Sequence, residues 1–168
     1  MPQKDNGFDS HEEYCFSIWL NRLLDMGLVN SITYQPSSFK LSPRQSTKEI
    51  KQLKTKSKEV DRFLLHPHIY TADFKFKGSP LFSEIDHEML DHEGYYYVDV
   101  KGSFAGGFRN SSAITFPINR KWVYEKYGIF VNKVIPEKLF KKTFIPRDIA
   151  YGKSGKLLKK WSKCKILE

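Results

Sequence analysis

The run Tyr95-Tyr96-Tyr97-Val98-Asp99-Val100-Lys101-Gly102 decides how this sequence reads. Aromatic and β-branched residues from Tyr95 to Val100 favour a pleated strand, and Gly102 loosens its exit. Alternate side chains of a strand share a face, so Asp99 and Lys101 come together on one side. A charged pair on a half-buried strand is costly unless a metal or a partner compensates it. Upstream, Ile69 to Phe76 is a second β-rich run, and within it Tyr70-Thr71-Ala72-Asp73-Phe74 sets one carboxylate among apolar neighbours. The two runs read as neighbouring strands. Asp73 then completes, with Asp99, a two-carboxylate oxygen site of the kind Mg²⁺ prefers, with positions open to water and phosphate.

Working outward, Ser10-His11-Glu12-Glu13 has the S-x-x-E form of a capping box, and apolar residues follow at Phe16, Ile18, Trp19, Leu20, Leu23 and Leu24. The spacing predicts a helix from about Ser10 to Met26, closed by Gly27. Leu28 to Tyr34 reads as a strand ended by Pro36. Residues 42–60 are polar and lysine-rich and read as a weak solvent-facing helix or a mobile insertion. Beyond Gly102–Gly107, Ser112 to Phe116 reads as a strand, Ile118 to Tyr127 as a helix stopped by Gly128, and Ile129 to Ile135 as a strand. The expected class is α/β, with a mixed central sheet flanked by helices. A core domain over 1–137 is followed by a basic C-terminal extension over 138–168.

The chain has 168 residues and a net charge of +9. Ten basic residues against two acidic ones fall between Lys138 and Glu168, a charge of +8 that leaves about +1 for everything before it. That asymmetry suits a surface that tracks phosphates, the alternative being a solubilising tail. Lys153, Lys156, Lys159 and Lys160 are the candidate nucleic-acid contacts there, interleaved with Trp161 as a stacking ring. Arg109, in the loop Phe104-Ala105-Gly106-Gly107-Phe108-Arg109, is another. No apolar stretch is long enough to span a bilayer. The N-terminal residues lack the apolar region of a secretion signal, so a cytoplasmic location is expected. Cys15 and Cys164 have neither disulfide-framework nor zinc-ligand spacing.

Asp73, Asp99 and Lys101 together can hydrolyse a phosphodiester. The carboxylates hold a metal that activates water, and the lysine orients that water or neutralises transition-state charge. The alternative is an Asp–Lys salt bridge on an exposed strand face. In this arrangement the sequence resembles the PD-(D/E)xK nuclease superfamily, in which an acidic residue on one strand precedes a D/E-x-K pair on the next. The likeness extends from Ser10 to about Val134. Ser10 to Glu13 followed by Trp19 and Gly27 resembles the superfamily's glutamate-bearing first helix, and Phe116 to Gly128 is similar to the helix that small phage-type members place after the D-x-K strand. Ala72 stands in place of the proline that names the motif, and Asn119 where a basic residue is expected.

The resemblance implies a restriction-endonuclease-like core and Mg²⁺-dependent cleavage of DNA, with Mn²⁺ as a substitute, in a phage or mobile-element protein acting inside a bacterial host. Asp73, Asp99 and Val100 are then the metal-binding residues. Glu13 joins Asp73, Asp99 and Lys101 as the catalytic set, because the glutamate of the resembling helix falls three residues after the serine. Helical phase leaves Glu12 open as well, and Glu13 has a second reading as a capping residue. A branched-DNA or Holliday-junction resolvase is one alternative function, and a non-catalytic DNA-binding module of the same fold is another. Cutting both strands would call for a homodimer by symmetry.

Two other clusters read as structural. Glu84, Asp86, His87, Glu88, Asp91, His92 and Glu93 match no zinc signature and read as a solvated loop. His66-Pro67-His68 reads as a turn. Tyr151-Gly152-Lys153-Ser154-Gly155-Lys156 lacks the spacing of a nucleotide-binding P-loop.

Overall fold

Ser10 begins the first helix as its cap: its hydroxyl accepts the Glu13 N–H at 3.2 Å, and helix α1 then runs His11–Asp25. Phe16, Trp19, Leu20 and Leu23 recur on one stripe and are fully buried. Gly27, at φ +70°, terminates the helix and turns the chain into strand β1, Val29–Tyr34. The computed structural model describes residues 7–78, 90–103, 111–152 and 154–167, apart from the side chains of 111–113.

Strands β2 (Phe39–Ser42), β3 (Gln45–Gln52), β4 (Ser57–Leu65) and β5 (His68–Tyr70) follow, then β6 (Phe74–Gly78) and β7 (Tyr95–Val100). Helix α2 (Ser111–Tyr127) leads to strand β8 (Val131–Val134), helix α3 (Pro136–Lys142), strand β9 (Ile145–Pro146), helix α4 (Arg147–Ala150) and strand β10 (Ile166–Leu167). The central sheet has the order β1-β6-β7-β8. β1, β6 and β7 are antiparallel neighbours and β8 pairs parallel to β7, so the sheet is mixed. One face, from Phe74, Phe76, Tyr96, Val98 and Val100, packs on the α1 stripe. The other carries Tyr97 and Val131, packed with Phe116 and Val123 of α2 and with Phe39, Leu41 and Tyr70.

Four expectations change. Residues 42–60 are neither helix nor mobile insertion: most of them form the antiparallel ribbon β3–β4, whose cross-strand ion pairs replace the apolar periodicity that a buried element would show. Ser112 to Phe116 is the start of α2, not a strand. Its β-branched and aromatic residues favour extended backbone, but burial of Phe116 and Val123 against the sheet selects the helix, and Pro117 is accommodated within it. The run Ile69 to Phe76 is broken at 71–73, because β5 pairs with β2 whereas β6 pairs with β1. Finally, the segment from 138 onward is not an extension of a finished core. Leu139, Phe140, Phe144, Ile145, Ala150 and Trp161 are buried in the same cluster as Trp19, and β10 pairs with β9. No helix among the described residues is long and apolar enough to cross a membrane.

Candidate active site

The ladder between β6 and β7 runs from Lys77 opposite Tyr95 to Phe74 opposite Val98, where it ends. Gln35, at φ +45°, turns the chain off β1 and donates its N–H to the Asp73 carbonyl at 2.8 Å. Asp73 donates its own N–H to Val98 O at 2.9 Å. Two residues further along the same edge of β7, the N–H of Val100 has no strand opposite it and donates instead to Oδ2 of Asp73 at 2.6 Å. A side-chain carboxylate thus takes the place of a ladder carbonyl and is fixed at the mouth of a fork between two strands. Asp73 therefore sits in the bend before β6 rather than in mid-strand. The Val100 carbonyl leaves the same edge of β7 as its N–H, so it faces the fork.

Asp99 and Lys101 share the face expected from their spacing. Lys101 Nζ donates to Asp99 Oδ1 at 2.8 Å and lies 5.6 Å from the centre of the Phe116 ring. This is no surface salt bridge: the two side chains are 18% and 5% exposed. The backbone of Lys101 is held by its N–H to Val134 O at 2.8 Å, so β8 positions the end of the motif strand. Asp99 Oδ2 is buried and has no hydrogen-bond partner among the described residues. Tyr70 OH likewise makes no hydrogen bond of good geometry, and it lies close enough to Asp99 for a side-chain interaction between the two. Burial, then the charges of Asp99 and Asp73, push that hydroxyl far above the ordinary tyrosine range.

The same forces act on Asp73. Burial first, and then repulsion from Asp99, raise it from 3.8 to about 8, against the opposing pull of the Val100 N–H. Glu13 adds to the repulsion and Lys101 relieves part of it. Glu13 is buried on α1, and both of its carboxylate oxygens are engaged. Oε1 accepts from Ser10 Oγ at 2.8 Å and Oε2 from Tyr34 OH at 2.8 Å. Its bond to the capping serine, made through the hydroxyl, and its place near Asp73 are therefore not exclusive. Glu12 instead approaches the strand exit, its Oε1 lying 3.0 Å from where a Cβ on Gly102 would stand, so a side chain at 102 would crowd it.

Among the described residues, no group of three His, Cys, Asp or Glu side chains converges closely enough to hold a metal. The donors at the fork are two carboxylates and a backbone carbonyl. That set fits Mg²⁺, which binds through one or two carboxylates and retains several waters. The unpartnered Oδ2 of Asp99 and the repulsion between the two acids are both features that a divalent cation would relieve.

Of the proposed nucleic-acid contacts, Lys156, Lys159 and Lys160 are exposed, whereas Lys153 and Arg109 lie outside the described residues. Trp161 is 3% exposed and packs against Phe140, so it is a core residue and not a stacking platform. Most of the acidic loop also lies outside the described residues. Within the described part, Asp91 Oδ1 accepts the N–H groups of Glu93 and Tyr95, shaping the turn into β7. His68 bonds Asn119 at 2.8 Å and stacks on Trp122, tying β5 to α2.

Two site neighbours escaped the sequence reading. Tyr34 ends an unremarkable strand, and only the three-dimensional approach of β1 to α1 gives it Glu13. Burial and that hydrogen bond raise it to about 12, so it stays a donor. Tyr70 lies three residues before Asp73, a spacing that marks it only once the bend at 71–73 is known. Comparison with protein-family models, curated proteins and solved structures finds no match for this chain.

Proposed function

We propose that this protein is a Mg²⁺-dependent DNA endonuclease of PD-(D/E)xK type with a restriction-endonuclease-like core, hydrolysing phosphodiester bonds at the fork between β6 and β7. The observation that carries this reading is the convergence of Asp73, Asp99 and Lys101 at a strand fork, with a buried carboxylate oxygen left unpartnered. The mixed sheet, with α1 on one face and α2 on the other, supports the fold assignment.

Asp73 and Asp99, with the Val100 carbonyl, would hold the cation. Bound there, it supplies Lewis-acid polarisation of the scissile phosphate and lowers the pKa of water. Lys101 sits within hydrogen-bonding distance of Asp99 and has donors to spare, so its ammonium can orient the attacking water and offset charge on the phosphorane-like transition state. Phe116 shields that ammonium and keeps it near the fork. Glu13, held by Ser10 and Tyr34, acts on the site through its charge and sets the position of β1 against α1.

The test is incubation of supercoiled plasmid with protein in Mg²⁺ and in EDTA, using wild type, Asp99→Ala and Lys101→Ala. Metal-dependent nicking is expected in wild type. Loss of about 10²-fold or more is expected in both variants, with DNA retention on a gel unchanged, because these groups serve the transition state rather than docking. Undiminished nicking in both variants would refute the site. Parallel reactions on linear, single-stranded and four-way-junction DNA separate a general endonuclease from a branched-DNA resolvase.

A further inference from the structure

The ribbon β3–β4 makes its hydrogen bonds within itself, and a two-stranded ribbon without a core is marginal in water. Its charges are also sorted. Directly opposed residues share a face, so Lys48 with Asp61 and Ile50 with Glu59 lie on one side, and Thr47 with Arg62, Glu49 with Val60 and Lys51 with Lys58 lie on the other. On the first side Lys48 is bound to both Glu59 and Asp61, at 3.4 and 3.1 Å. On the second, Glu49 is matched by Arg62 at 3.9 Å, and the charged residues beyond that pair are the lysines Lys51 and Lys58. Every acid of the ribbon, Glu49, Glu59 and Asp61, is thus engaged by a cation of the ribbon itself. The distal end holds Lys51, Lys54, Lys56 and Lys58, all exposed and none with an ion-pair partner among the described residues.

Lys51 and Lys58 stand directly across the ladder from each other, a like-charge pair that destabilises an isolated ribbon. An anion between them would reverse that sign. The ribbon's root is equally informative. It continues through the β2–β5 pair into the second core, where Phe39 and Tyr70 are buried, and Tyr70 leads within three residues to Asp73. Nine residues of β4 at about 3.3 Å each give a reach of about 30 Å, close to nine base pairs of duplex at 3.4 Å per step.

We infer that the β3–β4 ribbon is a duplex-DNA arm, its lysine-bearing side and tip tracking phosphates along a groove while its root is joined to the fork. A two-stranded ribbon has the width that the major groove admits. Unpaired positive charge at the tip, with the ribbon's acids neutralised by its own cations, suits a polyanion. This inference rests on the DNA-cleavage reading for its substrate.

The test measures binding of full-length protein to a fluorescent 30-base-pair duplex in EDTA across a salt series. A variant with Lys51, Lys54, Lys56 and Lys58 all changed to Gln should bind about tenfold or more weakly at moderate salt, with a salt slope smaller by up to about 0.9 per lost contact. Lys51→Glu is the sharper variant. It gives Lys58 an opposite charge across the ladder, so a merely structural role predicts an equal or higher melting temperature with unchanged binding, whereas a DNA arm predicts the same stability gain with weaker binding. Unchanged affinity and slope in both variants would overturn the inference. So would undiminished duplex binding together with lost retention on phosphatidylserine vesicles, which would assign the ribbon to a lipid surface. Because EDTA removes catalysis, the two readings fail separately. Wild-type nicking with tip-independent binding would sink only the arm, and tip-dependent binding without nicking would sink only the nuclease.

Discussion

Asp73→Asn changes one charge at the fork while keeping an oxygen to accept the Val100 N–H, and its consequence can be worked out in advance. The carboxyl of Asp73 is raised from 3.8 to about 8 in the folded protein. A raised acid contributes stability that is fully present below its unfolded pKa and is lost as pH climbs through the folded value. The slope in that window approaches about 1.4 kcal/mol per pH unit. Between about pH 5 and about pH 7.5, Asp73 alone should therefore remove on the order of 3 kcal/mol from the metal-free protein. In a chain of this size that corresponds to roughly 6–12 °C in melting temperature. The variant lacks this titration, so in EDTA its melting temperature should rise relative to wild type as pH increases, the two converging at the acid end. Thermal melts of both proteins over that range, at constant ionic strength, give the difference directly and cancel the titrating groups remote from the fork. Saturating Mg²⁺ should then lift wild type at neutral pH and leave the variant nearly unmoved, since metal stabilises by binding the folded site. Parallel pH profiles in EDTA would refute the charge-repelling fork. An equal Mg²⁺ response in both proteins would refute Asp73 as a ligand.

Three further outcomes are expected. Tyr34→Phe leaves Glu13 Oε2 buried without its donor and should cost about 1–3 kcal/mol, read as a lower denaturation midpoint, whereas an unchanged midpoint would show that β1 does not hold Glu13. Trp161→Ala should cost about 3–5 kcal/mol by emptying core volume beside Phe140. A loss under about 1 kcal/mol would return the C-terminal segment to the status of an appendage. Changing Lys153, Lys156, Lys159 and Lys160 to Ala should weaken DNA binding and flatten its salt dependence by up to about 0.9 per lost phosphate contact, and an unchanged slope would mean that these lysines only solubilise.

The parts of the fold that could be read in advance are those with strong local signatures. The capping serine and the apolar stripe of α1, the period-two sharing of Asp99 and Lys101, and the glycines at 27 and 128 each rest on neighbours within a few residues. What escaped depends on pairing at a distance. Lys48 reads as one of a crowd of lysines until the register sets it against Asp61. Asp73 reads as mid-strand until β5 and β6 are known to belong to different sheets. Phe140, Phe144 and Trp161 are spaced among lysines with no clean period, so charge masks their burial. For the candidate site, the sequence carried Asp73, Asp99 and Lys101, whereas the hydrogen bond from Val100 and the approach of Tyr34 arise only from the way the strands diverge.

The closing of the core by the last segment has a bearing on biosynthesis. While the chain is being made, α1 and the four strands of the central sheet emerge before Phe140, Phe144, Ile145 and Trp161 are available to cover Trp19. At about 5–20 residues per second, that leaves an interval of a few seconds in which a large aromatic face waits uncovered on the ribosome. β8, which steadies Lys101 through Val134, leads directly into the late segment, and β10 locks onto β9 last of all. A nascent chain thus carries all three fork residues before Phe140, Phe144, Ile145 and Trp161 are in place around Trp19. If the fork cuts DNA as proposed, the order of elements along the chain postpones the covering of Trp19 until the segment after β8 has been made.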